Sequence, residues 1–343
     1  AAPQNPRPDW IMRWAAVATR AGDVNGDGFD DAIVRRTGGW GGGSWPEIFL
    51  GSPDGLATQW SWEGAGTGYA VGDLNGDGFD DVTAASQGPM SGVFYGRASG
   101  LPYLFEWGGP TSAGGGNLLS VAAGDVNGDG VADLLIDDPG FSNPEPYEGR
   151  LMVFFGSAGG LDRSPQWMWE GDMPYRFIGS PALGIGDVDG DGYDDIASAG
   201  RLADSTGSEI MVLHGSPTGP QPPTWHVPID GGMDSGGDVN GDGFDDLIID
   251  DPSYRSTDPA APGTGRALLF LGSANGLSPV ADWTLESTDP NERLAGVTGA
   301  GDVNDDGYDD VLVGRRYAGY QARGCVYGFL GSPQGLEQTA QWT

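Results

Sequence analysis

Short apolar segments separated by turn-forming residues recur along the whole chain. One kind of segment follows directly on an acidic stretch, as at 32–34, 134–136 and 247–249. A second kind ends in a Gly-Ser turn, as at 47–52 and 269–273. Brief apolar runs bounded by glycine are typical of short β-strands. The pattern therefore predicts an all-β chain of many short strands.

Each unit of this pattern contains four predicted strands. A run of small and apolar residues enters the acidic stretch, a second run leaves it, a third ends in the glycine turn, and a tryptophan marks the fourth. The tryptophans are Trp60, Trp107, Trp167, Trp225, Trp283 and Trp342. Their fixed place in the unit predicts a packing role. Repeated four-stranded antiparallel units are propeller blades, so we expect a β-propeller.

The acidic stretch is a nine-residue repeat, DVNGDGFDD in its first copy, that occurs six times. The copies start at Asp23, Asp73, Asp125, Asp187, Asp238 and Asp302. Successive starts are 50, 52, 62, 51 and 64 residues apart, a period typical of propellers. The residues after Asp302 and those up to Asp23 together fill one more spacing of 64. We therefore expect one domain of six blades over residues 1–343, closed by an outer strand at Trp10 or at Trp342.

Oxygen-bearing side chains stand at alternate places of each copy, with glycine in the sixth place. The Asp in the first place of each copy is a predicted ligand. Places three and five add Asn25, Asp27, Asn75, Asp77, Asn127, Asp129, Asp189, Asp191, Asn240, Asp242, Asn304 and Asp306. The seventh place offers a backbone carbonyl, from Phe29, Phe79, Val131, Tyr193, Phe244 and Tyr308. Glycine permits the positive φ of a sharp turn, and such a loop folds around a hard cation.

The third copy indicates which carboxylate closes the ligand set. It reads Val131-Ala132-Asp133, so it lacks the eighth-place Asp and keeps the ninth. The predicted closing ligands are therefore Asp31, Asp81, Asp133, Asp195, Asp246 and Asp310. The eighth-place residues are expected to lie outside the ligand set or in solvent, namely Asp30, Asp80, Asp194, Asp245 and Asp309.

Calcium fits this loop better than other metals, and about six ions are expected, one per repeat. Three or more carboxylates with a carbonyl suit calcium, whereas magnesium requires a tighter octahedron and keeps its waters. Zinc is disfavoured because the loops contain no Cys or His. An EF-hand is excluded because its twelfth-place Glu is replaced by residues such as Val34, Ile136 and Ser198.

Charge limits the kind of partner. The chain has 49 acidic and 16 basic residues and a net charge of −33. A chain of this charge does not attract nucleic acid or an anionic membrane through its net electrostatic field. Six calcium ions would reduce this charge to −21. The chain has no run of 18 apolar residues, so no membrane span is predicted. The 12 Trp, 12 Phe and 11 Tyr residues exclude a disordered acidic chain.

In its six acidic loops the sequence resembles the FG-GAP repeat family, the calcium-binding propeller of integrin α subunits and of many bacterial surface proteins. The motif D-x-[ND]-x-DG-x-x-D recurs over nearly the whole chain. The FG element survives loosely at Phe177-Ile178-Gly179, and Asp-Asp-Pro replaces the GAP element at 137–139 and 250–252. The resemblance implies an extracellular or cell-surface location and a bacterial source. The family's usual seven blades are the alternative to six.

A partner is expected on the face opposite the calcium loops. Connection length varies there, at 108–117, 137–149, 170–176, 252–265, 286–293 and 314–323. Length variation on one face of a repeat array is typical of a binding face. Aromatic residues outside the repeat pattern are the candidates for contact, namely Trp40, Trp45, Tyr103, Tyr147, Tyr175, Tyr254, Tyr317 and Tyr320.

The sequence favours a non-enzymatic adhesion or interaction scaffold with mainly structural calcium. It is expected to be a monomeric domain of a larger protein, with an unknown protein or glycan ligand. A calcium-dependent lectin is the alternative, because aromatic side chains stack on sugars. No catalytic residue is predicted. His214 and His226 are the only histidines, no G-x-S-x-G occurs, and the protease-like segment 234–237 enters a calcium loop.

Overall fold

The computed structural model describes residues 15–37, 44–53, 55–61, 68–85, 90–102, 104–111, 118–202, 206–255, 264–287, 293–316 and 324–341. Within these ranges the chain forms 23 β-strands and no helix. This confirms the all-β prediction. Across the same residues, no helix is long and apolar enough to cross a membrane.

The strands follow one another in a regular meander. Their bounds are β1 Ala15–Gly22, β2 Asp31–Thr37, β3 Ser44–Leu50, β4 Ala57–Ser61, β5 Gly68–Gly72, β6 Asp81–Ala85, β7 Met90–Phe94, β8 Trp107–Thr111, β9 Leu119–Gly124, β10 Asp133–Asp138, β11 Arg150–Phe154, β12 Trp167–Glu170, β13 Ala182–Gly186, β14 Asp195–Arg201, β15 Ser208–Leu213, β16 Trp225–Val227, β17 Met233–Gly237, β18 Asp246–Arg255, β19 Thr264–Phe270, β20 Trp283–Glu286, β21 Arg293–Gly301, β22 Asp310–Arg316 and β23 Cys325–Phe329.

These strands form four-stranded sheets in sequence order: β1 to β4, β5 to β8, β9 to β12 and β13 to β16. Strands β17 to β20 repeat the order, and β21 to β23 follow in the same sheet through one parallel bridge between Thr264 and Arg293. Successive strands pair antiparallel, as β1 does with β2 and β13 with β14. The prediction of four-stranded antiparallel blades is confirmed. Six blades and ring closure stay predictions, since Trp10 and Trp342 lie outside the described residues.

The chain divides into two compact units. The first comprises Ala1–Ala122, Gly130–Phe141 and Met152–Met168, and the second Ala123–Asp129, Ser142–Leu151 and Trp169–Thr343. Each unit has its own buried apolar clusters. Those of the first include Val82 and Leu134, and those of the second include Leu247 and Val311, each fully buried. The prediction of a single domain over 1–343 is untested.

The repeated tryptophans join adjacent blades. Three of them meet a phenylalanine edge to face at 5.1 Å between ring centroids, in the pairs Trp107–Phe154, Trp225–Phe270 and Trp283–Phe329. The indole N–H of Trp107 donates to the Asp162 carbonyl at 2.9 Å, and that of Trp225 to the Ser278 carbonyl at 3.0 Å. Buried tryptophans need such an acceptor for their polar edge. The predicted packing role is confirmed for these three.

Candidate metal centre

Each acidic loop connects the first two strands of a blade and is shaped by its own oxygens. In the first loop the Asp23 carboxylate accepts the N–H groups of Asp27 at 3.0 Å and Gly28 at 2.8 Å. The Asn25 side-chain carbonyl accepts the Asp27 N–H at 3.0 Å, and Asp27 accepts the Phe29 N–H at 3.0 Å. The same bonds recur in the second, fourth, fifth and sixth loops. They draw the odd-numbered places into one tight turn.

Glycine in the sixth place has the positive φ that the sequence predicts. The six values lie between 87° and 91°, for Gly28, Gly78, Gly130, Gly192, Gly243 and Gly307. This conformation is accessible to glycine at little cost, whereas a side chain there would be strained.

The fourth loop brings several predicted ligands together. One carboxylate oxygen from each of Asp187, Asp189 and Asp191 lies within 4.8 Å of the other two. Asp189 and the ninth-place Asp195 form a second such group with His214. Opposite ligands of a calcium ion are about 4.8 Å apart, because each bond is about 2.4 Å long. The donor set therefore fits calcium, and the ligand assignments in all six loops stay predictions.

The ninth-place aspartates are buried and also hold the blade together. All six side chains are at most 2% exposed. In Asp81 one oxygen accepts the Leu74 N–H and the other the Gly96 N–H, each at 2.8 Å. Equivalent pairs of bonds occur at Asp31, Asp195, Asp246 and Asp310. Since each carboxylate oxygen has about two acceptor sites, these bonds leave one site per oxygen for a cation at Asp31, Asp81, Asp246 and Asp310.

Burial disfavours the ionised form of these carboxylates unless a positive charge lies nearby. Desolvation raises the pKa of Asp81 to about 8, of Asp246 to about 7 and of Asp31 to about 6, against the lowering effect of the two backbone N–H groups. A bound cation supplies the positive charge that the ionised form requires. The chain contains no lysine that could do so.

The eighth-place aspartates join consecutive loops, and the sequence analysis missed this. Asp80 accepts the Asp23 N–H at 2.8 Å, Asp194 the Asp125 N–H at 2.7 Å, and two further pairs repeat the contact. We call Asp80, Asp194, Asp245 and Asp309 the inter-loop carboxylates. Of the two expected alternatives, outside the ligand set or in solvent, the solvated one does not apply to these four, because each accepts a backbone N–H. It holds for Asp30, which is exposed and pairs with Arg20.

A glycine before each receiving loop makes room for the inter-loop carboxylate. At Gly186, whose φ is 79°, a Cβ atom would lie 2.0 Å from an Asp245 oxygen. At Gly237 it would lie 2.0 Å from an Asp309 oxygen. The pairing of an eighth-place Asp with a glycine just before the previous loop is the sequence signal that could have predicted this contact.

A second feature lies on the connections opposite the acidic loops. Tyr147, between β10 and β11, stacks on Tyr175, between β12 and β13, with centroids 5.9 Å apart and planes at 21°. Phe177 lies 5.6 Å from Tyr147, and the Arg201 guanidinium lies 5.3 Å from the Phe177 ring centre. The two tyrosines are about half exposed, at 49% and 51%. We call Tyr147, Tyr175 and Phe177 the aromatic platform.

The backbone of the aromatic platform is strained and is held by backbone hydrogen bonds. Its three residues have φ between 52° and 60°, the left-handed region that non-glycine residues rarely occupy. The Phe177 N–H donates to the Tyr147 carbonyl at 3.0 Å, and a bridge pairs Gly149 with Ile178. A Cβ at Gly149 would lie 2.4 Å from the Ile178 backbone, so glycine is required there. Strain of this kind persists where the surrounding structure fixes it and is common at binding sites.

A cavity adjoins the aromatic platform at Phe177. Its volume is about 260 Å³, and its wall includes Ser180, Arg201, Ser208 and Asp230. It thus combines an aromatic face with hydroxyl, guanidinium and carboxylate groups.

The other predicted contact aromatics have different positions. The Tyr254 hydroxyl donates to Glu286 at 2.9 Å, and its ring lies 4.2 Å under the Arg266 guanidinium, so it is already engaged. The residues Trp40, Tyr103, Tyr317 and Tyr320, and the side chain of Trp45, lie outside the described part of the structure.

Comparison with known proteins identifies the repeat. Residues 73–136 match the FG-GAP-like repeat. Integrin alpha pat-2 of Caenorhabditis briggsae is 31% identical over 244 residues, covering 58% of this chain and 19% of the nematode protein. Integrin alpha-IIb of Mus musculus is 28% identical over 203 residues, covering 57% of this chain and 14% of the mouse protein.

A phosphatidylinositol-glycan-specific phospholipase D of Rattus norvegicus is 30% identical over 166 residues, covering 43% of this chain and 19% of the rat protein. The chain therefore spans less than a fifth of the length of each of these three relatives.

Fold and site define the chain as an all-β repeat protein built of antiparallel blades, in each of which an acidic loop joins the first two strands. The matched repeat at 73–136 and the partial similarity to integrin α subunits support an FG-GAP, integrin-α-like family. The bacterial source stays a prediction.

Proposed function

We propose that the chain is a calcium-binding scaffold that mediates adhesion or another binding interaction outside the cell. The convergence of Asp187, Asp189 and Asp191 within 4.8 Å is the observation that carries the calcium assignment. All six loops share the motif, and the first, second, fifth and sixth also share the internal hydrogen bonds of the fourth, so about six ions are proposed. The ligands are those assigned from the sequence at places one, three, five, seven and nine.

Calcium in these loops has a structural role. Each proposed site lies between two strands of a blade, and its ninth-place carboxylate fixes the turn between the third and fourth strands. Binding to the folded state alone stabilises it by about 2.7 kcal/mol per site when calcium is a hundredfold above its dissociation constant. The scaffold is proposed to work without catalysis, as one domain of a longer secreted or surface protein.

The partner is proposed to bind the connections opposite the acidic loops, at the aromatic platform. Two half-exposed tyrosines on a strained, hydrogen-bonded backbone form a preorganised contact surface. Such rigid aromatic side chains supply contact area at little cost in conformational entropy. The leading proposal is a protein partner of neutral or basic surface, because the chain carries a net charge of −33.

A calcium-dependent lectin is the second candidate function. It is favoured by the cavity beside Phe177, where Ser180, Arg201 and Asp230 offer donors and acceptors for sugar hydroxyls next to a stacking face. Aromatic faces with a few converging polar groups are typical of small-ligand sites.

Calorimetric titration of the metal-free protein with calcium tests the metal assignment. We expect about six ions per chain and a melting temperature that chelator lowers. The double variant D187N/D191N should lose one ion and keep the rest. An unchanged melting curve in chelator would contradict a structural role for calcium.

A glycan array read with and without calcium separates the two partner classes. Reproducible binding that free sugar competes away, and that Y147A/Y175A abolishes, would establish the lectin. If no glycan binds, the protein partner remains the proposal. Y254A is the matched control, because Tyr254 is engaged by Glu286 and Arg266 and lies outside the aromatic platform.

A further inference from the structure

An acidic cluster lies next to the aromatic platform, on the connections opposite the six acidic loops. One carboxylate oxygen from each of Glu148, Glu170 and Asp172 lies within 4.8 Å of the other two. None of the three belongs to the nine-residue repeat. Glu148 is the residue after Tyr147, and Asp172 lies three residues before Tyr175, so the cluster and the aromatic platform share their two connections.

The buried member of this cluster has an oxygen that lacks a hydrogen-bond partner. Glu148 is 0% exposed, and its Oε2 atom accepts no hydrogen bond from the residues that the structure describes. Its other oxygen accepts the Asn143 N–H. A buried carboxylate oxygen without a donor is costly, and it is costlier still with two further carboxylates nearby. The arrangement requires a positive charge or a donor between the three side chains.

Arg150 is the described basic side chain near the cluster: its charge acts on Glu170, but it donates no hydrogen bond to the buried Glu148 Oε2 atom. Two other arginines of these connections are engaged elsewhere. Arg176 forms an ion pair with Glu209 at 2.7 Å, and Arg201 lies over the Phe177 ring. Three carboxylates with no Cys or His form an all-oxygen donor set, which selects hard divalent cations of the calcium and magnesium class. The separation of up to 4.8 Å matches ligands on either side of a calcium ion at about 2.4 Å.

We propose that Glu148, Glu170 and Asp172 bind a hard divalent cation, calcium in the extracellular setting, at a seventh site outside the acidic loops. The ion neutralises Glu148 and holds the Asp172 connection against it. Because Gly171 N–H donates to the Gly149 carbonyl at 3.0 Å, the ion and this bond clamp the same two segments. The site thereby fixes the geometry of the aromatic platform and makes partner binding depend on calcium.

Anomalous diffraction from crystals soaked with Tb³⁺, a probe for calcium sites, tests this proposal ion by ion. We expect a peak between the three carboxylates in the wild-type protein and its loss in Glu148→Gln, with the peaks of the acidic loops retained. Glu145→Gln is the matched control, since Glu145 lies in the same connection and outside the cluster. Glu170→Gln, at a half-buried position, gives the same test if Glu148→Gln fails to fold.

Calcium calorimetry provides a second readout. Glu148→Gln should bind one ion fewer than the wild type and Glu145→Gln. Loop peaks without a peak at the cluster would overturn the proposal, as would a full-height peak in Glu148→Gln. A peak at the cluster without loop peaks would instead overturn the calcium assignment of the loops, so the two failures are distinguishable.

Discussion

His214 places an ionisable imidazole beside the carboxylates of the fourth loop. Its Nδ1 lies 3.2 Å from an Asp189 oxygen and 3.3 Å from an Asp195 oxygen. The third place is Asn in the other five loops, and in three of them its amide donates to the fifth-place Asp. Asp189 has no such donor, so the imidazole supplies one. The hydrogen bond to Asp195, and then the negative charges of Asp195 and Asp189, raise the pKa of His214 despite its burial.

The His214 imidazolium is predicted to stabilise the metal-free protein at acidic pH. A pKa raised in the folded state means that this stabilisation is present at low pH and is lost as pH rises through the raised pKa. The destabilisation caused by His214→Leu should therefore be larger at pH 5 than at pH 8 in chelator. Urea unfolding at both pH values measures the difference.

Proton NMR provides the control for this prediction, because the chain has only two histidines. The imidazole signal that disappears in His214→Leu should titrate above the ordinary value of about 6.5 in the wild type. Removing His226, which is exposed on β16, should leave that titration unchanged. Equal destabilisation at the two pH values would contradict the prediction.

At the scale of the structural element, the third repeat lacks one inter-loop contact that a substitution can restore. Ala132 occupies the eighth place, and its N–H still donates to the Asp73 carbonyl at 3.3 Å. Ala132→Asp would add a carboxylate that accepts the Asp73 N–H, as Asp80 does for Asp23. With calcium present, we expect the free energy of unfolding to rise by about 1 kcal/mol. Chemical denaturation measures it.

The reverse substitution and an exposed control complete this test. Asp80→Ala should cost about 1–3 kcal/mol, because it leaves the Asp23 N–H without its acceptor. Asp30→Ala removes the same group from the first loop, where Asp30 forms an exposed pair with Arg20, and should cost less than about 0.5 kcal/mol. Equal effects of the two alanine variants would show that the inter-loop bond contributes nothing.

The strands and turns of each blade could be predicted from the sequence because they depend on local pattern. Apolar runs such as that of β18 and the sixth-place glycines carry the information within a few residues. The role of Asp80 could not be predicted in this way, since its acceptor bond reaches Asp23 in another repeat. The Glu148 cluster was missed for a similar reason, as its members come from two separate connections.

At the scale of the whole molecule, the net charge of −33 and the buried carboxylates together set the pH dependence of stability. Burial raises the pKa of Asp31 to about 6, of Asp246 to about 7 and of Asp81 to about 8. The unfolded chain loses these protons near pH 3.9, so the folded, metal-free protein holds more protons between about pH 4 and 8. Its stability is therefore highest at acidic pH and is lost as pH rises through this window.

Calcium should reverse this pH dependence, because it replaces the protons as the positive charge beside each buried carboxylate. We expect the melting temperature of the metal-free protein to fall from pH 5 to pH 8 and the increase caused by calcium to be greatest at pH 8. Calcium binding at pH 7 should release protons, which calorimetry in buffers of different ionisation enthalpy detects. Sodium chloride at matched ionic strength controls for general screening of the acidic surface. A calcium effect equal at both pH values, without proton release, would show that the buried carboxylates are not ligands.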